Sequence, residues 1–287
     1  MKITTQKDDF QLINEALSGD KVSLSELIKK HYAYTFNVCL KMLYSHQDAE
    51  DVNQEIWTKT IVSLKNFKKR STFTTWLYRI AVNHILDMKK KSIELAISKG
   101  FDAYSENLDI IPSQELNAEE KIVMTAAVEE AKVSCMSGML MCLDREQRLI
   151  YVLGDIFNIG HNVGSEIFNV SLANFRKKLS RARNDLFNFM NNQCSLVNKN
   201  NPCSCSKKTK GFIKVGYVSP ENLEFNANFT TKIHENIIQR SDSLDNLRDN
   251  YHTKLFQDLP FEERSKNALD EIINDHQLKS ILRLNME

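Results

Sequence analysis

Proline and glycine are scarce in this chain of 287 residues, at 4 and 8. Tight turns are therefore few, and long helices are favoured. Six cysteines are too few to staple a chain of this length, and a reducing cytosol would oppose such a scaffold. No apolar run approaches the length of a membrane span. The start, Met1-Lys-Ile-Thr-Thr-Gln-Lys-Asp-Asp-Phe10, has no signal-peptide core. A cytoplasmic protein with no membrane partner is expected. Charge of one sign is also missing: the formal net charge is +1, so the whole chain is not a polyelectrolyte binder. There is no glycine-rich phosphate loop, the seven histidines are scattered, and no catalytic constellation stands out. These absences argue against an enzyme. No internal repeat is present.

What is there is helical patterning. Apolar residues make up 42%, which suits globular cores, and the length allows two modest domains with room for a third. Residues 8 to 91 carry three apolar stripes at helical spacing. One runs through Leu24, Leu27, Ile28, Tyr32, Phe36, Leu40 and Leu43, and a second through Val52, Ile56, Ile61, Leu64 and Phe67. The third holds Phe73, Leu77, Ile80, Ala81, Ile85 and Met88. Three amphipathic helices can bury these stripes against one another. Residues 92 to 118 break the pattern and read as a mildly acidic linker with short helical fragments. Residues 119 to 190 are helical again, ending in a long helix through Leu172, Phe175, Leu179, Ala182 and Leu186. Residues 191 to 287 form a Cys- and Asn-rich strip and then a polar, helix-leaning tail. The expected fold is all-α: two helical domains (1–91 and 119–190) joined by a flexible linker, plus a mostly helical C-terminal extension. Local charge varies in sign, basic over Lys65–Lys91 and Arg176–Arg183 and acidic over Asp48–Glu55. Separate surfaces for DNA and for a protein partner follow from that asymmetry.

The acidic stretch is Asp48-Ala-Glu-Asp-Val-Asn-Gln-Glu55. On a helix Asp48, Asp51 and Glu55 share one side, with Gln54 adjoining. Taken alone, such acids complement a helix N-terminus, at ~0.3–1 kcal/mol each. Yet the stretch, followed by Phe73-Thr-Thr-Trp-Leu-Tyr-Arg-Ile-Ala-Val-Asn83, resembles bacterial RNA polymerase sigma factors of the extracytoplasmic-function (ECF) type. That family carries Asp-Ala-x-Asp-x-x-Gln-Glu here, and this chain has every fixed position. The resemblance covers roughly residues 20 to 190. It implies a sigma region 2 over 1–91 whose Asp48, Asp51, Gln54 and Glu55 dock on core RNA polymerase.

The segment after it is basic and aromatic. Opening a duplex without ATP needs cations on phosphates, a term that weakens steeply with salt. It also needs groups that hold unstacked bases, at ~1–3 kcal/mol per stacked base. An extruded base can be read on its pairing edge by a polar side chain such as Asn. The alternative reading places Phe73 and Trp76 in the core and leaves the lysines solvated. The family pattern Thr-Trp-Leu-Tyr-Arg-Ile-Ala-x-Asn-x-x-x-Asp, completed by Asp87, implies a −10 element interface of Lys69, Arg70, Trp76, Arg79 and Asn83.

Residues 159 to 183 read as a helix-turn-helix whose second helix starts near Ser171, a suitable N-cap. Asn174 is placed to reach a base, and Arg176 and Lys177 to reach bases or phosphates. Arg181 and Arg183 either clamp phosphates or cap the core. The run Ser171-Leu-Ala-Asn-Phe-Arg-Lys-Lys-Leu-Ser-Arg-Ala-Arg183 resembles the family's region 4 reader, which implies a −35 interface of Ser171, Asn174, Arg176, Lys177, Arg181 and Arg183. The helix before it departs from the family's Tyr-x-Glu-Ile-Ala-x-x-Leu-Gly. Gly164 weakens it by about 1 kcal/mol relative to Ala, and Asn169 stands where glycine is usual, which is tolerable because Asn can adopt the left-handed conformation. The resemblance implies core RNA polymerase, promoter DNA and an anti-sigma factor as partners. A helix-turn-helix regulator acting without a sigma role is the alternative, and it leaves the Asp48–Glu55 stretch without a task.

The strip after residue 190 places Cys194, Cys203 and Cys205 within twelve residues, near Lys207, Lys208 and Lys210. Structural zinc usually takes four ligands, commonly from paired Cys-x-x-Cys. This spacing lacks that pairing, and a fourth ligand would come from afar, such as His234 or His252. No cofactor is otherwise expected. Redox sensing by a lysine-activated thiol and incidental cysteines are the other readings. Cys39, Cys135 and Cys142 sit in apolar helical patterns and read as core. A zinc enzyme would need an open metal position and a general base, and neither is visible.

Overall fold

The computed structural model describes residues 7–90, 92–97, 99–223 and 251–257. The fold is all-α, and the sole extended pairing among the described residues is an isolated parallel bridge between Cys194 and Cys203. The described residues divide into two compact units, 7–89 with 162–171, and 90–161 with 172–257.

The first unit opens with α1 (Asp9–Leu17), which starts in a capping box made by Asp8 and Gln11. Helix α2 (Lys21–Leu43) is capped by Asp20 and ends on Tyr44 in a left-handed conformation, φ 56°. Ser45 then caps α3 (His46–Ser63), and Thr72 caps α4 (Phe73–Asp87). The three stripes bury as their spacing predicts: Leu27, Ile28, Phe36, Ile56, Phe73, Leu77 and Ile85 are each at most 1% exposed. Each such side chain contributes about 1.5–3 kcal/mol over an exposed one. Ile80 and Met88 differ, being only half-buried at the edge of the α4 stripe. Trp57 fills the centre, its indole N–H donating to Thr35 Oγ1 at 3.0 Å. That bond satisfies the polar edge that makes a buried Trp costly.

The second unit contains α5 (Ser92–Ile97), α6 (Gly100–Ile110), α7 (Ala118–Val123), α8 (Thr125–Met141) and α9 (Arg145–Tyr151). Helix α9 runs on into a π-helical turn, Val152–Ile156. Next in the chain is α10 (His161–Ile167), most of which groups with the first unit. Helices α11 (Leu172–Gln193), α12 (Cys205–Lys214) and α13 (Tyr251–Gln257) complete the second unit.

Residues 92–118 differ from a plain tether. Leu108, Ile111 and Leu116 are buried, and the Tyr104 hydroxyl donates to the Cys135 carbonyl at 3.0 Å. Glu94 of α5 is 4% exposed and bonded to Arg145 and Arg148 of α9. A buried carboxylate with two guanidinium partners holds α5 in place. The C-terminal strip is integrated in the same way. Lys208 is buried, and its ammonium donates to the carbonyls of Leu108 and Ile111 at 2.5 and 2.6 Å. A cation at a helix C-terminus satisfies free carbonyls and opposes the helix dipole. Gly211 makes the approach possible, because a Cβ there would collide with the Pro112 carbonyl oxygen. Further along, Phe256 of α13 is fully buried and meets the Tyr151 ring edge-on at 5.5 Å. Gln257 donates to the Asp155 carbonyl at 2.6 Å. This part of the tail folds back on the second unit.

Candidate nucleic-acid interface

The acidic side chains sit on the first turns of α3. Ser45 accepts a bond from the Asp48 N–H at 3.2 Å, which fixes where the helix begins. Asp51 and Glu55 are exposed, while Asp48 and Gln54 are half-buried. The spacing of 48, 51 and 55 puts the three acids on one side, opposite the buried Val52, Ile56 and Trp57. Glu55 keeps 64% of its side chain exposed although its carboxylate lies 3.2 Å from His84 Nε2. Burial pushes the His84 pKa below its usual value, with the neighbouring Lys59 adding to the effect.

The basic loop and α4 form a second surface. Lys69 takes a left-handed backbone, φ 56°. Its ammonium donates to Asn14 Oδ1 at 3.2 Å and stands over the Phe10 ring. Arg70 is exposed. Trp76 is half-buried in an aromatic group, 5.2 Å from Phe67 and 5.9 Å from Phe73. Phe73 is core, while one part of Trp76 faces out. Asn83 is exposed, and Arg79 donates to Glu166 at 3.0 Å, a residue of the 162–171 segment of the same unit.

The third surface is the outer side of α11. Phe175, Leu179, Ala182, Leu186, Phe189 and Met190 bury one stripe. Ser171, Asn174, Arg176, Lys177 and Arg181 are exposed on the other side. Arg176 donates to His161 Nδ1 at 3.3 Å. Ahead of α11, Asn169 takes φ 52°, the left-handed turn that its position requires. Arg183 differs from the other five. It donates twice to Asp155, at 2.7 and 2.5 Å, and Asp155 is 4% exposed. This bidentate pair ties α11 to the π-helical turn, the core-capping role of the two open for that arginine.

Residues 27–92 match the family description sigma-70 region 2. Nine of the singled-out residues, Asp48 to Asn83, fall inside that span. The chain is 38% identical over 79 residues to the RNA polymerase sigma-H factor of Pseudomonas aeruginosa, covering 28% of this chain and 41% of that one. It is 24% identical over 177 residues to the ECF RNA polymerase sigma factor SigE of Mycolicibacterium smegmatis, 60% of this chain and 65% of that one. It is 24% identical over 181 residues to the ECF RNA polymerase sigma factor SigW of Bacillus subtilis, 61% of this chain and 92% of that one. The chain is similar to ECF-type sigma factors, and its residues 27–92 to sigma-70 region 2. It spans less than two thirds of the length of the first two of these relatives.

The cysteine strip has a partner that spacing did not reveal. Cys135 of α8, read from sequence as a core residue, lines one cavity together with Cys194, Cys203 and Cys205. Its apolar helical context hid it, since a buried thiol at helical spacing reads as a small hydrophobe. His234 lies outside the described residues, as does the side chain of His252. Among the described residues, no group of three or more His, Cys, Asp or Glu side chains is placed to hold a metal ion. No described helix is long and apolar enough to cross a membrane.

Proposed function

We propose that this chain is the promoter-recognition subunit of a bacterial RNA polymerase. Asp48, Asp51, Gln54 and Glu55 bind the core enzyme. Arg70, Trp76, Arg79 and Asn83, with Lys69 once it leaves Asn14, hold the −10 element as it opens. Ser171, Asn174, Arg176, Lys177 and Arg181 read the −35 element, and Arg183 supports them by fixing α11. On this reading residues 1–91 act as region 2, residues 119–190 as region 4, and 92–118 as a structured connection. The work is binding in the cytoplasm and not bond chemistry. Its partners are core polymerase, promoter DNA and, as regulator, an anti-sigma factor.

One observation carries the reading: the region 2 match over 27–92 coincides with an exposed Asp51/Glu55 pair on a helix whose other side is core. Surface acids that keep most of their side chain in solvent are suited to electrostatic docking. The test replaces Asp51 and Glu55 together by Lys. Helical content should persist, because both side chains are exposed, while co-purification with core polymerase is lost. Normal co-purification of Asp51→Lys/Glu55→Lys sinks the docking assignment.

A further inference from the structure

Three separated stretches of the second unit bring four thiols to one place. Cys135 lies on α8, Cys194 follows α11 directly, and Cys203 and Cys205 flank Ser204, the N-cap of α12. All four line a cavity of about 20 Å³, room for one water-sized sphere. Cys135 lies within electrostatic reach of each of the other three sulfurs. None of the four is in a disulfide.

The backbone around them is built to present sulfur. The N–H groups of Leu196 and Val197 face the Cys194 sulfur and favour its thiolate. The isolated parallel bridge sets Cys194 beside Cys203, with the Ser195 N–H donating to the Cys203 carbonyl at 3.0 Å. Asn201 stitches the loop shut through bonds to the carbonyls of Asn191 and Cys194, at 2.8 and 3.3 Å. Cys205 is the first residue of a ten-residue helix, where the dipole favours an anion. Cations stand close by: Lys132 acts on Cys205, and Lys208 acts on Cys203. The loop therefore holds two thiols in fixed places beside two more from elsewhere.

We propose that Cys135, Cys194, Cys203 and Cys205 form a four-thiolate site for a zinc-class divalent cation. Four soft donors with no open position match a structural, non-catalytic site. Loading exchanges four S–H protons for four metal–sulfur bonds: four thiols and one Zn²⁺ give a tetrathiolate centre of net charge −2 and four released protons. Lys132 and Lys208 offset that charge. Binding requires the sulfurs to turn toward one another, since no three of them are placed to hold a metal ion as they stand. Binding requires all four sulfurs to be deprotonated, so affinity rises with pH. The bound ion would staple the ends of α11 and α12 to α8, fixing the C-terminal strip on the second unit. This proposal does not depend on the sigma role.

The test uses the full chain, purified under reducing conditions without chelator. Elemental mass spectrometry should find about one zinc per chain. After chelator removes it, titration with Co²⁺ should give intense thiolate-to-cobalt charge-transfer absorption and release about four protons per ion at a pH below the thiol values. Cys135→Ser and Cys205→Ser should each weaken that band, while Cys142→Ser, outside the cavity, should leave it unchanged. The proposal is overturned if reduced, folded wild-type protein carries no zinc and shows no charge-transfer band with Co²⁺. A band of unchanged intensity in Cys135→Ser overturns it too, as does a disulfide among these cysteines that persists in the reduced preparation. The wild-type measurements decide the matter even if a variant fails to fold.

Discussion

Removing Glu94 should be among the most damaging single changes in the second unit. Its carboxylate is 4% exposed and serves two guanidinium groups. Arg148, only 2% exposed, reaches Glu94 Oε1 at 2.5 Å and also donates to Met141 Sδ at 2.7 Å. Burial already pushes the Arg148 pKa below its usual value, and Glu94 is the main group opposing that. Glu94→Ala leaves a buried cation without its counter-charge, which costs about 3–5 kcal/mol. For a unit of this size each kcal/mol moves Tm by about 2–4 °C, so the fall should be about 6–20 °C. Glu94→Gln keeps the shape but not the charge and should fall in the same direction. Glu94→Leu with Arg148→Met removes both charges and should be milder than Glu94→Ala, because the cost lies in the orphaned cation and not in the missing pair. Thermal unfolding by circular dichroism reads the size, and hydrogen exchange over 92–97 reads the place. A shift under about 2 °C for Glu94→Ala, set against the same scale, would show that α5 is not packed on α9 and would return residues 92–118 to the status of a tether.

Other outcomes follow from single contacts. Gly211→Ala should cost about 1–3 kcal/mol in a melt, because its Cβ meets the Pro112 carbonyl and the Ile111 side chain. Gly160→Ala, with nothing within 4 Å of the new Cβ, should change little. Thr35→Val strands the buried Trp57 N–H and should cost about 1–3 kcal/mol in urea unfolding. Acid should weaken the first unit: burial holds His31 below its usual 6.5, so its contribution is complete above that value and is lost as pH falls through the folded pKa. Asp9 acts in the same direction lower down. Burial raises it, but Lys30 and His31 together bring it below 3.8, so its contribution is present above 3.8 and is lost as pH falls further. His31→Gln should flatten the decline in Tm as pH falls below 6.5. Lys177→Ala should weaken binding to promoter duplex by holoenzyme and reduce the slope of log affinity against log salt by about 1.

The parts of the fold that were legible are those written in local periodicity. Leu24 to Leu43, and Phe175 to Leu186, recur at helical steps, and both stripes are buried. The sequence allowed a left-handed Asn169 in a place where glycine is usual, and Asn169 takes that conformation. What stayed hidden depends on partners far apart in the chain. Glu94 read as one more acid in a linker until Arg148, 54 residues on, paired with it. Lys208 read as part of a basic cluster, yet it is buried against carbonyls of Leu108 and Ile111. In the candidate site, spacing put Asp51 and Glu55 on one side of α3. It had no means of telling that Lys69 rests on Asn14 and Phe10, or which of the two roles left open for Arg183 applies. Cys135 is the same case, a thiol whose neighbours come from a strip much later in the chain.

The central claim is tested most directly by adding the purified chain to core RNA polymerase of its source and genomic DNA fragments, then mapping transcript 5′ ends. The account predicts discrete starts that depend on the added chain and share two spaced upstream elements. The same starts should vanish with Asp51→Lys/Glu55→Lys. A chain that binds duplex DNA alone, does not bind the polymerase and yields no specific starts would contradict the sigma assignment and leave a helix-turn-helix regulator in its place.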